Sequence, residues 1–313
     1  MDLKDKKIAV VGLGGVGGYL GALLAEHYPH VTFVARGQRG ESIKEHGLIL
    51  HSEYRGERVC HPEKVVSSGE ELEVQDYIFV CVKTYSLEEA LKSIEGAVDE
   101  HTVVIPVMNG ADTGERARKL LKKGQVVDSL IYIITFANPD YSITPQGMYT
   151  IVWLGIADVN EKQQAILQEA DALLQAAEIE SRIAENINRQ IWKKYIMNCA
   201  YNVETAAYAN TIGQLRDDPV KAKEYEALTQ EAYNVAVAKG IAMRESDIDW
   251  LVHRFYEELS DGDTSSLQRD VENHRQSEVD TFCGYLIREA KKLGIAVPVM
   301  EKMERLILEQ LDK

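Results

Sequence analysis

The sequence is poor in cysteine, has no excess of positive charge and contains no long apolar run, and each shortage removes a class of function. Four cysteines occur in 313 residues: Cys60, Cys81, Cys199 and Cys283. They are widely separated and lack the short spacings of a metal knuckle or a thioredoxin-like pair, so no metal site is expected and the thiols read as reduced and buried. The formal charge is -15, a sign that repels polyphosphate and anionic lipid, so neither nucleic acid nor a membrane is an expected partner. Acidic residues are spread along the chain and form no tail, which reads as a solvated surface. The stretch Met1 to Lys7 is charged and leads into only a short apolar run, unlike a signal peptide or a membrane span. The expected compartment is the cytoplasm. No internal repeat or low-complexity linker interrupts the chain.

What is present is an ordinary globular composition, 45% hydrophobic and 27% charged, on a chain longer than one core usually organises, so two domains are expected. From Lys7 to about Ile156, short β-branched runs alternate with helical stretches, the pattern of strand and crossover-helix units in a parallel sheet. Ile8 to Val11, Val31 to Val34, Tyr77 to Val82 and Val103 to Ile105 are continuous apolar runs suited to strands covered on both faces. Ile49 to Val66 is more polar and reads as a small strand excursion. Glu161 to Ala177 reads as a helix and Ile179 to Ile183 as an extended piece. Beyond about Glu185 helical periodicity takes over, with Trp192, Tyr195, Ile196 and Cys199 at i, i+3, i+4 and i+7. The expected fold is α/β: an N-terminal Rossmann-type doubly wound sheet over residues 1-185, then an all-helical C-terminal domain over residues 186-313.

Gly12-Leu13-Gly14-Gly15-Val16-Gly17 satisfies G-x-G-x-x-G between the first strand and an apolar helical run. Gly12 permits a tight turn, Gly14 lets backbone approach a pyrophosphate, and Gly17 allows close helix-to-strand packing, with the helix N-terminus facing the negative charge. A dinucleotide is the expected ligand. At the end of the second strand, where an acid would hold the ribose 2'-hydroxyl of NAD, the chain reads Val34-Ala35-Arg36-Gly37-Gln38-Arg39. Guanidinium groups there suit a 2'-phosphate, so the expected cofactor is NADP(H), with Arg36 foremost and Arg39 either a second partner or a loop charge. Lys83 and Asn109 follow the next two strands on the cofactor side of an open sheet, where ligand contact and ordinary loop chemistry are both open.

Further on, Lys194, Asn198 and Asn202 recur at i, i+4 and i+8, sharing one helix face that drifts by roughly 40° per step over about 12 Å. Asparagine prefers caps and turns, so two beside an apolar stripe invite a role in gripping a small polar ligand. Reduction of a ketone builds negative charge on oxygen, which an ammonium can stabilise and protonate. A surface lysine with backbone-paired amides fits the same spacing, and Lys193 is expected to be merely solvated. Ser265 and Gln268 stand at capping-box spacing, and Glu278 and Asp280 fit an exposed helix equally well.

Taken together these segments resemble the ketopantoate reductase family over nearly the whole chain. The shared elements are the glycine turn, Lys194-x-x-x-Asn198-Cys199-x-x-Asn202, Ser265-Ser266, Arg275-x-Ser277-Glu278-Val279-Asp280 and Gly284, in that order. The resemblance implies a 2-oxo acid reductase with catalysis in a cleft between the two domains, Lys194 as general acid, and Asn198, Asn202 and Ser266 holding substrate. It implies that Glu278 orients the site near ribose and substrate, and that Lys83 and Asn109 meet the cofactor, Asn109 also reaching substrate. A helical second domain in this type of enzyme often supplies a dimer surface, so a homodimer is possible, but no exposed apolar face in the sequence identifies one. Three departures lie on the substrate side. Ile212 precedes Gly213 where the family commonly has asparagine, Val203 replaces a proline, and Asp128 to Gly147 has Asn138-Pro139-Asp140 in place of Pro-Gly. The resemblance implies reduction of ketopantoate to pantoate, in pantothenate and coenzyme A synthesis, and the departures keep a different small 2-oxo acid as the alternative. An NADP-binding sensor without turnover is the alternative of another class, and intact Lys194 and Glu278 stand against it.

Overall fold

The β-branched runs of the first half are strands in a computed structural model of the chain, which describes residues 3-312. Met1 and Asp2, part of the charged N-terminal stretch, and Lys313 lie outside the described residues. The chain divides into two compact units, Met1–Ile187 and Asn188–Lys313.

The first unit runs β1 (Ile8–Val11), α1 (Gly15–His27), β2 (Val31–Val34), α2 (Gly37–His46), β3 (Leu48–Ser52), β4 (Gly56–Cys60), β5 (Lys64–Val66) and β6 (Tyr77–Val80). It continues α3 (Leu87–Ser93), β7 (Val103–Pro106), α4 (Thr113–Leu120), β8 (Gln125–Val126), β9 (Asp128–Ala137), β10 (Ile143–Gly155), α5 (Glu161–Ala176) and β11 (Ser181–Ile183). A six-stranded parallel sheet has the order β5-β2-β1-β6-β7-β8. Alternate residues of its central strands feed two cores, as the two-residue period of a strand requires. Ile8, Val10, Phe33, Tyr77 and Phe79 pack toward α1 and α5 with Leu20, Leu24 and Leu173. Ala9, Val11, Ile78 and Val80 pack toward α3 and α4 with Leu87, Leu91 and Ala117.

The polar stretch after α2 forms two different structures. β3 and β4 make an antiparallel hairpin, while β5 joins the edge of the main sheet beside β2. A five-stranded second sheet has β11-β10-β3-β4 as its path, with β9 pairing β10. In the unusual 128-147 segment, β9 and β10 form an antiparallel hairpin whose turn is closed by Asn138 N–H to Ser142 O at 2.9 Å and Tyr141 N–H to Asn138 O at 3.0 Å. The Asn-Pro-Asp sequence therefore serves as a hairpin turn. Strand β6 ends at Val80, two residues before the apolar run does, and the chain turns there to present Lys83.

The second unit is helical: α6 (Ile187–Tyr208), α7 (Ile212–Asp217), α8 (Pro219–Ala238), α9 (Glu245–Glu257), α10 (Ser266–Glu272), α11 (Tyr285–Leu293) and α12 (Pro298–Leu311), with a π-helical turn at Asp280–Gly284 leading into α11. Trp192, Tyr195, Ile196, Cys199 and Val203 of α6 are buried as one stripe. Tyr195 packs edge-on against Trp192 and Tyr285 at centroid separations of 5.3 and 5.7 Å. Its hydroxyl donates to the carbonyl oxygens of Thr281 and Phe282 at 2.9 and 3.1 Å, pinning α6 to the π-helical turn. Among the described residues no helix is long and apolar enough to cross a membrane.

Candidate active site

The glycine turn lies at the carboxyl end of β1, in the middle of the parallel sheet. Gly12 has φ +90°, a conformation that glycine adopts without strain. A Cβ on Gly17 would lie 1.9 Å from the Gly12 carbonyl oxygen, so only glycine lets α1 start against the turn. A Cβ on Gly14 would meet open space. Gly14 is the N-cap of α1, no side chain caps it, and the first turn holds no acid. Open backbone at the positive end of a buried helix suits a phosphate group, so the residues present fit a dinucleotide on its pyrophosphate side.

The groups singled out beside this turn sit at the carboxyl ends of neighbouring strands. Arg36 follows β2, Lys83 follows β6 and Asn109 lies beyond β7, and with β1 these strands are consecutive in the sheet. Lys83 and Asn109 are half-buried, and the Thr84 hydroxyl donates to the Asn109 carbonyl oxygen at 3.2 Å, tying the two loops together. Arg36 is exposed and pairs with Glu89 at 2.7 Å. Arg39 serves a different end: it donates to the carbonyl oxygens of Leu13 and Tyr141 at 2.9 and 3.3 Å, bracing the glycine turn against the hairpin. Nothing local in the sequence distinguishes it from Arg36, because both acceptors are backbone atoms, one of them 102 residues away.

In the second unit, the Lys194, Asn198 and Asn202 positions share one continuous helix, α6, and both asparagines are 6% exposed. Asn202 Nδ2 donates to Asn198 Oδ1 at 3.2 Å, and Ser266 Oγ donates to Asn202 Oδ1 at 3.2 Å. The amides and the serine hydroxyl thus form one connected, largely buried polar strip. Ser265 is the N-cap of α10 and accepts from Gln268 N–H at 3.0 Å; its hydroxyl also meets Thr205 Oγ1 at 2.7 Å. The Gln268 side chain turns to Glu272 instead of completing a capping box. Thr205, a support that spacing alone did not single out, therefore positions the Ser265-Ser266 element from α6.

Lys194 is half-buried, and burial brings its ammonium down to about 8 against the opposing pull of the Glu278 carboxylate. Glu278 is 3% exposed, two residues before the π-helical turn. Lys193 departs from the solvated role expected of it: its ammonium lies 3.7 Å from Asp247, itself bound by Arg189 at 2.7 Å, and 3.9 Å from the Trp250 ring centroid. Asp280, by contrast, is exposed and paired with Arg288. Ile212 is fully buried at the start of α7, and its N–H donates to the Asp263 carbonyl oxygen at 3.1 Å, just before the Ser265-Ser266 element. The nearby Asn210 is engaged with Lys221 and Gln214.

Comparison with known proteins accounts for both units. The family model described as ketopantoate reductase PanE/ApbA matches residues 8–158, and the model for the C-terminal part of the same family matches residues 186–310. An uncharacterized oxidoreductase of Bacillus subtilis, YkpB, is 29% identical, the match covering 94% of this chain and 95% of that one. The crystal structure of 2-dehydropantoate 2-reductase from Porphyromonas gingivalis is similar with a TM-score of 0.79 and 27% identity, covering 97% of this chain and 99% of that one. A ternary structure of D-mandelate dehydrogenase with NADH and anilino(oxo)acetate shares the fold, with a TM-score of 0.86 and 21% identity over 98% of each chain. With both models matched in order along it, the chain belongs to the ketopantoate reductase family of oxidoreductases, which act on a C=O/CH–OH pair.

Proposed function

We propose that the protein reduces a 2-oxo acid with NADPH, and that ketopantoate is the first substrate to test. The observation that carries this reading is the connected strip of Asn198, Asn202 and Ser266, with Lys194 one turn before Asn198 on the same helix and the Glu278 carboxylate acting on the lysine. A grip of this kind suits a molecule with a carboxylate and an adjacent carbonyl, because amide and hydroxyl groups donate to the first while an ammonium meets the second.

The residues that would hold the cofactor are Gly12 to Gly17 at the pyrophosphate, Arg36 at the 2'-phosphate, Lys83 and Asn109 toward the ribose and nicotinamide, and Glu278 near the ribose. A nicotinamide held by these residues would supply the hydride for the reduction. Lys194 donates a proton to the keto oxygen as negative charge builds there. Its ammonium at about 8 is largely protonated at neutral pH yet gives the proton up more readily than an ordinary lysine. Glu278 keeps the half-buried ammonium charged, and Asn198, Asn202 and Ser266 hold the oxo acid still.

A second reading, reduction of a different or bulkier 2-oxo acid, is favoured by the side chain at 212. There the buried Ile212 offers no amide, and a pocket losing one polar contact accepts other acids. The D-mandelate dehydrogenase of the same fold was solved with NADH and anilino(oxo)acetate, which supports including bulkier acids among the candidates. The test is initial-rate NADPH and NADH oxidation with ketopantoate and a panel of branched and aryl 2-oxo acids. Full turnover by Lys194→Ala on the best substrate would refute the proton-donor role. Tight NADPH binding with no oxidation across the panel would refute the enzyme reading for this chain.

A further inference from the structure

Arg36 and Glu89 approach each other from opposite sides of the glycine turn. The order β2-β1-β6 places the carboxyl end of β1 between them: Arg36 follows β2, and Glu89 stands in the first turn of α3, beyond β6. Arg36 Nη1 donates to Glu89 Oε1 at 2.7 Å, so the pair spans the loop that follows β1. Both side chains remain largely in water, 69% and 66% exposed, and an ion pair that wet contributes little to stability. An acid in the first turn of α3 is accounted for by the helix dipole, but its direction toward Arg36 is not. The neighbouring Glu88, in the same turn, lies 3.8 Å from Arg116 instead.

We propose that Glu89 is a specificity-determining residue of the cofactor site: it holds Arg36 across the glycine turn, and a 2'-phosphate must take the guanidinium from it. The inference rests on the reading of Arg36 as the phosphate partner. A phosphate monoester carries more charge than a carboxylate, so it wins the exchange for the guanidinium. A ribose hydroxyl does not compete for the fork, and the pair stays closed over an unphosphorylated dinucleotide. The Glu89 carboxylate therefore lowers the affinity for NADPH while leaving that for NADH alone, and sets the ratio between them.

The test is calorimetric titration of NADPH and NADH into the wild type, Glu89→Gln, Arg36→Ala and the double variant. Glu89→Gln is expected to tighten NADPH by about two- to fivefold, the scale of an exposed pair released from competition, with NADH unchanged. In the Arg36→Ala background the same substitution is expected to do nothing, because the coupling runs through the guanidinium. If Arg36→Ala weakens NADPH selectively but Glu89→Gln leaves NADPH unchanged, or tightens both cofactors equally, the role of Glu89 is overturned and that of Arg36 stands. If Arg36→Ala leaves the NADPH to NADH ratio unchanged, the phosphate reading falls and the inference falls with it.

Discussion

Replacing Glu278 by glutamine removes a buried negative charge that favours the Lys194 ammonium, and the consequence is a displaced pH profile, not a uniform loss of rate. The sign follows from the two causes acting on the lysine: burial lowers it to about 8 and Glu278 raises it, so without the carboxylate it falls further. In the proposed role of Lys194 proton donation needs the ammonium, so reduction by the wild type is expected to decline above about pH 8, one decade per pH unit. If Glu278→Gln moves the limb toward acid by about one unit, the low end of what an adjacent opposite charge does, the protonated fractions at each pH fix the expected ratios. The variant loses about twofold at pH 7, about fivefold at pH 8 and about ninefold at pH 9, and is nearly unaffected at pH 6 on this count. The assay is initial-rate kcat/KM for NADPH oxidation across that range, with the reverse reaction followed in parallel, where the neutral amine is the useful form and the rate rises with pH. A wild-type limb that stays in place in Glu278→Gln would refute the electrostatic role of Glu278. A limb that survives in Lys194→Arg would show that Lys194 is not the titrating group.

Three further outcomes follow from particular contacts. Glu204 is fully buried, neither carboxyl oxygen has a hydrogen-bond partner among the described residues, and burial with Glu224 nearby pushes its pKa up to about 9. Because that value is raised, its contribution to stability is present in full at acid pH and is lost as pH climbs toward 9. Glu204→Leu should raise urea-unfolding stability by about 1 to 3 kcal/mol at pH 8 and flatten this pH dependence; unchanged or lower stability would refute the assignment. Gly17→Ala should lower thermal stability by about 1 to 3 kcal/mol and weaken NADPH binding at least tenfold, because the new Cβ meets a backbone oxygen 1.9 Å away; wild-type affinity in a calorimetric titration would argue against the cradle. Asn202→Ala strips partners from Asn198, Ser266 and the Leu267 N–H, so it should raise KM for the oxo acid by tenfold or more, about 1.4 kcal/mol, while leaving the NADPH Kd within about twofold. A rise in both would mean the strip is not substrate-specific.

The parts of this architecture readable in advance are those whose causes are local. β1, the glycine turn and α1 are contiguous, and the apolar stripe of α6 repeats within a few turns, so period and turn chemistry sufficed. The second sheet escaped because its pairings are remote: Ile143 meets Leu50, and β10 meets β11 beyond an intervening helix. Side-chain destinations were readable where a capping geometry fixed them, as at Ser265, and not where the partner came from elsewhere in the unit. Arg36 and Arg39 look alike in the sequence, yet one reaches an exposed carboxylate and the other two carbonyl oxygens. Lys193 and Lys194 are adjacent, and only the packing of Asp247 and Trp250 separates their environments. Glu204 sits in α6 beside Val203 and Thr205, and nothing in its neighbours announces that its carboxyl is sealed from water.

The bonds from the Tyr195 hydroxyl to the Thr281 and Phe282 carbonyl oxygens join residues 86 and 87 positions apart. Closing a loop of that length costs conformational entropy that the contacts of the folded unit must offset. The surroundings of Lys194 in α6 therefore depend on chain more than eighty residues further along, where Glu278 and the π-helical turn lie. If Lys194 is the proton donor proposed above, its competence depends on the docking of a segment remote in sequence, and damage near Glu278 reaches the chemistry without touching α6.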